Sequence, residues 1–321
     1  MGRPWVPGPA VAAALLLALI PLAVDGYPIR LLTLVFQWAA MAGAWNLTAG
    51  YAGALDLGPV APYGIGAFTV AVLMTRAGWG FLPSLVAAAA FGAAAAYVMG
   101  RPTFRLRGAY FAVGTLALAE AIKQLLLSWD RVTGVPLFGG SAGISLPLGP
   151  GPVFFYYVMG AVMAGVVAVS YSLEVSAFGY GLRAIRDSEA VAAATGVDVP
   201  ALKRRVYMLG AAFLAMTGGT AAYWLSYVNA ADTMAPSLTL QTIAIALLGG
   251  MGTPLGPVVG AAVLVGAQDV LGAAFTQSYW LVLGVIITAA ALFFPAGIVG
   301  AVRAVGETRA ARPAPPGQGR G

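Results

Sequence analysis

Charged side chains are scarce in this sequence, and the few that interrupt long apolar stretches are the groups with chemistry to offer. Glu120 and Lys123 stand three apart in AYFAVGTLALAEAIKQLLLSW at 109–129, a spacing that lets them pair across one helical turn. A charge inside a span costs a few kcal/mol and marks function more often than one at the surface. The run predicts this pair near the outer end of its span, where the two charges can neutralise each other. Asp56 lies in GYAGALDLGP at 50–59, where several glycines permit the unwound backbone that transporters use around a midplane solute. Asp269 falls near the outer end of another apolar run and can reach the interface. Among uncharged groups, Asn46, Thr48, Tyr63, Thr115 and Gln241 can each line a path or hydrogen-bond between helices. The residues proposed for a path are Asn46, Asp56, Tyr63, Thr115 and Glu120.

Much chemistry is excluded. Histidine and cysteine are both absent, which removes disulfides, imidazole and thiolate metal sites, cysteine nucleophiles and Ser-His-Asp triads. The expectation is a chain without catalytic residues, metal or cofactor of its own. Lys123 and Lys203 follow Ile122 and Leu202, so the Gly-Lys-Ser/Thr ending of a phosphate-cradling ATPase loop is missing. A net charge of +6 does not point to nucleic acid here, because excess Lys and Arg in a membrane protein anchor cytoplasmic loops.

The elements that must position these groups are membrane helices. Of 321 residues 60% are hydrophobic and 9% charged, and mean hydropathy is +0.87, against about 25% charged for soluble domains. With 43 Gly and 21 Pro, the pattern is apolar helices separated by breakers. A span needs roughly 20 apolar residues. The charge-free run 233–268 would be about 54 Å long as one helix, and GGMGTPLGP at 249–257 divides it. Cutting at such breakers predicts ten spans, near 10–24, 31–49, 59–76, 82–99, 108–128, 152–173, 206–223, 236–250, 257–274 and 279–294. The first reads as a retained anchor, since no Ala-x-Ala cleavage pattern follows it. Lys and Arg then divide thirteen to three between the two sides, with Lys123 inside a span, which predicts both termini in the cytoplasm. Residues 1–302 are expected to form one transmembrane domain, and 303–321, small, polar and Pro-rich, a disordered tail. LGPV occurs at 57–60 and again at 255–258, a weak internal echo. Gly64, Gly66 and Ala67 read as close helix packing.

One cytoplasmic connection is unlike the rest. Residues 174–205 hold nine of the 28 charged residues. Within them DSEAVAAATG at 187–196 reads as a short helix, with Asp187 or Ser188 accepting free N-terminal amides, Glu189 suiting the dipole and Gly196 taking a left-handed terminus. Its small residues Ala190, Val191, Ala193 and Ala194, flanked by Arg183, Arg186 and Asp187, fit a docking element. They fit equally a loop that covers helix ends.

Three blocks resemble the inner-membrane permeases of ATP-binding-cassette importers for branched-chain amino acids. They are GYAGALDLGPVAPYGIGAFTVAVL at 50–73, FRLRGAYFAVGTLALAEAIKQLLLSWDRVTGV at 104–135, and FGYGLRAIRDSEAVAAATGVDVPALKRRVYMLGAAFLAMTGG at 178–219, the last followed by LLGGMGTPLGPVVGA at 247–261. The second block includes Arg105, Arg107, Gly108, Tyr110, Phe111, Thr115, Leu116 and Glu120. The first departs from the family's usual order at Pro59 and Pro62. The resemblance implies an all-α integral membrane protein with the ABC importer permease fold, about ten helices and broken segments. It implies a non-catalytic subunit of a prokaryotic plasma (inner) membrane, partnered by ABC ATPase subunits, a second homologous permease and an external solute-binding protein. The loop 174–205 would carry the helix that couples to the ATPase, through Arg183, Arg186, Asp187, Glu189 and Gly196. Related permeases carry urea or short amides, so the solute class stays open at this point. Rivals from other classes are an ion-coupled secondary transporter using Asp56 or the Glu120 and Lys123 pair, and a membrane-embedded enzyme.

Overall fold

The computed structural model describes residues 26–274 except 107 and 136, with 19–21, 284, 288 and 297–300. Most of the expected spans at 10–24 and 279–294, together with Arg107 and the tail from 303, lie outside the described residues. Chain order runs α1 (Tyr27–Ala52), α2 (Val60–Arg76), α3 (Phe81–Thr103), α4 (Ala109–Thr133), β1 (Ile144–Ser145), α5 (Pro152–Val175), α6 (Ala177–Asp187), α7 (Glu189–Ala194), α8 (Val199–Leu225), β2 (Tyr227–Val228), α9 (Ala230–Thr233), α10 (Pro236–Gly249) and α11 (Gly256–Ala274). Among the described residues, α3, α4, α5, α8 and the stretch Ala230–Gly249 are long and apolar enough to cross a membrane, with α2 and part of α11 as shorter apolar helices. Breakers fall where backbone chemistry demands them. Gly53 ends α1 in the left-handed conformation at φ 69°, which costs glycine nothing. Pro59 and Pro62 occupy the cap and first turn of α2, positions whose amides have no intrahelical partner to lose.

Two helices organise the rest. Every residue of α1 from Trp38 to Ala52 is buried, enclosed by α5, α8, α10 and α11. α8 packs on α1, α2 and α3 through small residues. A Cβ at Gly66 of α2 would fall on the Ala215 backbone, one at Gly218 on the Tyr63 carbonyl, and one at Gly92 of α3 on the Ala215 methyl. Backbones approach this closely because lipid tails give apolar side chains no reason to leave them, so van der Waals contact between small residues supplies the attraction. Gly64 also faces the chain interior, against Met234.

The connections gather at two ends. At one end the 137–146 segment meets the segment after α8: β1 pairs antiparallel with β2, Ile144 opposite Val228 and Ser145 opposite Tyr227. Asn229 Nδ2 donates to the Ser141 carbonyl at 3.1 Å, and Asp130 Oδ1 accepts from the amides of Leu137 and Phe138, each at 3.0 Å. The other end holds the C-terminus of α1, the break between α10 and α11, and α6.

Candidate functional site

Residues 174–205 are largely helical rather than loop. Ser176 caps α6 by accepting from the Gly179 amide at 3.1 Å, and Leu182 and Ile185 bury the helix's apolar side, with Leu182 among Leu47, Tyr51, Leu173 and Val206. Two arginines one turn apart then reach two different spans. Arg183 Nη2 donates to the Glu174 carbonyl at 2.6 Å, in the last turn of α5, while its guanidinium lies 4.7 Å from the Tyr180 ring. Arg186 Nη1 donates to the Gly50 carbonyl at 2.7 Å, in the last turn of α1. Carbonyls in a last turn lack intrahelical partners and carry the negative end of the helix dipole, so a cation is the favoured donor for each. α6 is therefore fastened to the ends of two spans.

The short helix α7 stands clear of them. Ser188 is its cap, accepting from the Val191 amide at 3.4 Å, and Asp187 instead ends α6. Glu189 lies in the first turn and pairs with Lys203 at the start of α8. At the other terminus Gly196 has φ 86°, Val197 N donates to the Ala192 carbonyl and Gly196 N to that of Ala193, both at 3.0 Å. That arrangement closes a helix on a left-handed residue. Ala192 faces inward, whereas Ala190, Val191, Ala193 and Ala194 are exposed together, a small-residue surface open to another protein.

Neighbouring side chains of α1 hold the two broken segments. Trp45 Nε1 donates to the Asp56 carbonyl at 2.6 Å, fixing the 53–59 break. Asn46 accepts from the Gly252 amide at 2.8 Å through Oδ1 and donates to the Thr253 carbonyl at 3.1 Å through Nδ2, fixing the 250–255 break. The two LGPV stretches therefore flank one helix. Gly252 also lies close to the Arg186 guanidinium, so Asn46, the second break and the candidate coupling segment meet at one junction.

The other residues predicted for a path are placed as follows. Asp56 is buried and its Oδ1 accepts from the Gly58 amide at 2.7 Å. Thr115 Oγ1 accepts from the Leu57 amide at 3.0 Å and donates to the Ala112 carbonyl at 2.9 Å, so Asp56 and Thr115 are brought to the same break. The Tyr63 hydroxyl accepts from Gln37 Nε2 at 3.2 Å. Gln241 and Gln268 join α10 to α11 at 3.0 Å, and Asp269 accepts from the Tyr27 hydroxyl. Asn46, Asp56, Tyr63 and Thr115 are all buried joints between elements.

Glu120 differs from all of these. Glu120 Oε2 lies 2.6 Å from Lys123 Nζ, and Gln124 Nε2 donates to Oε1 at 2.8 Å. The pairing is as expected from the spacing, and because α4 runs from 109 to 133 the pair sits at the middle of the helix. The apolar run predicts an end at 128, whereas polar Ser128 and Thr133 remain helical while donating to the Gln124 and Trp129 carbonyls, and Asp130 accepts from the Leu137 amide beyond the helix. Trp45, Gln37 and the Gly50 carbonyl were not singled out from sequence. Their roles depend on partners remote in the chain.

Apolar helices joined through small residues and broken at 53–59 and 250–255 define a multi-pass membrane protein. The family described as "Branched-chain amino acid transport system / permease component" matches residues 27–292. The chain belongs to that family, and is a non-catalytic transport subunit. It is 27% identical over 316 residues to the high-affinity branched-chain amino acid transport system permease protein LivM of Escherichia coli K12, covering 90% of this chain and 74% of that one. Against LivM of Salmonella typhimurium LT2 it is 27% identical over 306 residues, 87% of this chain and 71% of the relative. No solved structure matches it.

Proposed function

We propose that this chain carries branched-chain or related hydrophobic amino acids inward across a prokaryotic plasma membrane. It works with separate ABC ATPase subunits, a second homologous permease and an external solute-binding protein. On this reading the chain crosses ten times, with both termini cytoplasmic, and α6 and α7 face the ATPase. The observation that carries this reading is the Arg186 bond to the Gly50 carbonyl: a push on the exposed α7 surface is passed by α6 to the end of the central helix α1. That helix holds both breaks through Trp45 and Asn46. An ATP-driven movement at this surface thereby shifts the balance between inward- and outward-open arrangements, which differ in how they bind solute.

Ala193→Pro tests the coupling. Proline at the end of α7 removes the Ala193 amide and distorts the turn, while the spans are untouched. The expected result is normal membrane insertion with loss of ATP-driven leucine uptake in proteoliposomes containing the whole assembly. Normal uptake by this variant would overturn the coupling role.

A further inference from the structure

Resting on the amino-acid importer reading above, we infer that the Glu120–Lys123 pair is a solute-binding site that recognises the zwitterionic head group of an amino acid, with Gln124 beside it. The pair is 2.6 Å apart on α4, eleven residues from the start of the helix and thirteen from its end, or about 17 Å and 20 Å at 1.5 Å per residue. Neither side chain is long enough to bring its charge to an interface from there. Yet the Glu120 side chain is 46% exposed. Bare hydrocarbon is an unfavourable surrounding for such a group, and the adjoining side of α4, Phe111, Ala112, Thr115 and Ala119, is already buried within the chain, with Lys123 at its margin and only 14% exposed. We take the exposed Glu120 carboxylate, with Lys123 half-buried behind it, to face a polar path.

The chemistry of the pair selects its occupant. An empty site is neutral, with the carboxylate held by Lys123 and Gln124. When a zwitterion enters, its ammonium takes the Glu120 carboxylate and its carboxylate takes the Lys123 ammonium and the Gln124 amide. One ion pair becomes two, no charge is left alone, and no proton or ion need enter. One and two turns earlier on the same exposed side stand Leu116, Ala117 and Val113, an apolar floor for an aliphatic side chain. A neutral amide or urea has no charges to exchange with the pair, so the arrangement favours amino acids over those solutes.

The test uses the complete importer, purified with its partner subunits and reconstituted with its binding protein, reading ATP-driven uptake of radiolabelled leucine, ATP hydrolysis and subunit recovery. The variant is Glu120→Gln with Lys123→Met, which removes both charges at once and makes insertion of α4 easier. The expected outcome is wild-type subunit recovery and ATP hydrolysis with leucine uptake reduced at least tenfold. A purely structural pair tolerates neutral replacement, so wild-type uptake by the double variant overturns the site while leaving the importer reading intact. Loss of the second permease from the purified variant assigns the pair to a subunit contact and also overturns the site. Failure of the wild-type assembly to take up leucine would instead remove the importer reading on which the site rests.

Discussion

α4 and α8 are apolar helices of similar length, 25 and 27 residues, and the chain treats them in opposite ways. The two are about equally hydrophobic, yet far less of α4 than of α8 is buried inside the chain. In water two such helices would both need burial. In a bilayer, hydrophobicity is satisfied equally by lipid, and burial follows the ability to approach closely. α8 carries Gly210, Gly218 and Gly219 where other backbones and side chains come near. α4 presents Tyr110, Val113 and Leu125 outward and keeps an ion pair among them. α8 is built to hold the fold and α4 to meet something outside it.

The contrast is broken most severely at Gly218. Leucine there would drive its Cβ into the Tyr63 carbonyl, a backbone atom that cannot step aside, and overpacking of this kind costs about 3 kcal/mol or more. Gly218→Leu is expected to abolish recovery of monodisperse protein in mild detergent. Val113→Leu, an equally large apolar residue on the exposed side of α4, is expected to change stability by less than about 0.5 kcal/mol. Size-exclusion profiles and thermal unfolding of the two variants check the pair. Equal tolerance of both would show that α8 is not the packing centre.

Arg186→Met addresses the junction between the candidate coupling segment and α1. It removes a charged donor from the Gly50 carbonyl, an interaction worth about 1.5–3 kcal/mol, and leaves the buried Leu182 and Ile185 in place. Carried in full into the coupling step, that loss reduces uptake about tenfold to a hundredfold, with folding and ATPase binding retained. An unchanged ratio of leucine moved to ATP hydrolysed would detach Arg186 from coupling.

The sequence made the long helices legible because two signals agreed along it, charge-free runs long enough to cross and glycine or proline clusters between them. The eight helices expected between 31 and 274 all form, and α7 forms with a serine cap and a left-handed glycine. α6 was harder to see, since AFGYGLRAIRD carries three charges and its apolar side is only three residues wide, Gly179, Leu182 and Ile185. β1 and β2 have two residues each, too few for any alternating pattern. The role of Asn46 was hidden for a different reason. Its partners lie 206 and 207 residues away, and nothing local to Asn46 distinguishes an amide that lines a path from one that holds a remote backbone. Exposure of Glu120 was equally hidden, because periodicity shows that it can pair with Lys123 but not which side of α4 the rest of the chain covers.

Apart from the Val113 control, the smallest effect is expected at Ser188, and it sharpens the contrast between parts that hold and parts that move. Its side chain accepts from the Val191 amide at 3.4 Å, long for a hydrogen bond, and loss of an N-cap costs about 1 kcal/mol. α7 has six residues, too few to be helical without help, so its shape depends on this cap, the Gly196 terminus and the Glu189 link to Lys203. Ser188→Ala should therefore leave global thermal unfolding unchanged while hydrogen exchange at Ala192 and Thr195, whose amides donate within this turn, speeds up about fivefold. Ser188→Asp, which restores an acceptor at the cap and adds charge of the favourable sign, should reverse the change. If Ser188→Ala instead lowers the global transition, α7 is part of the packed body and not a separately movable surface.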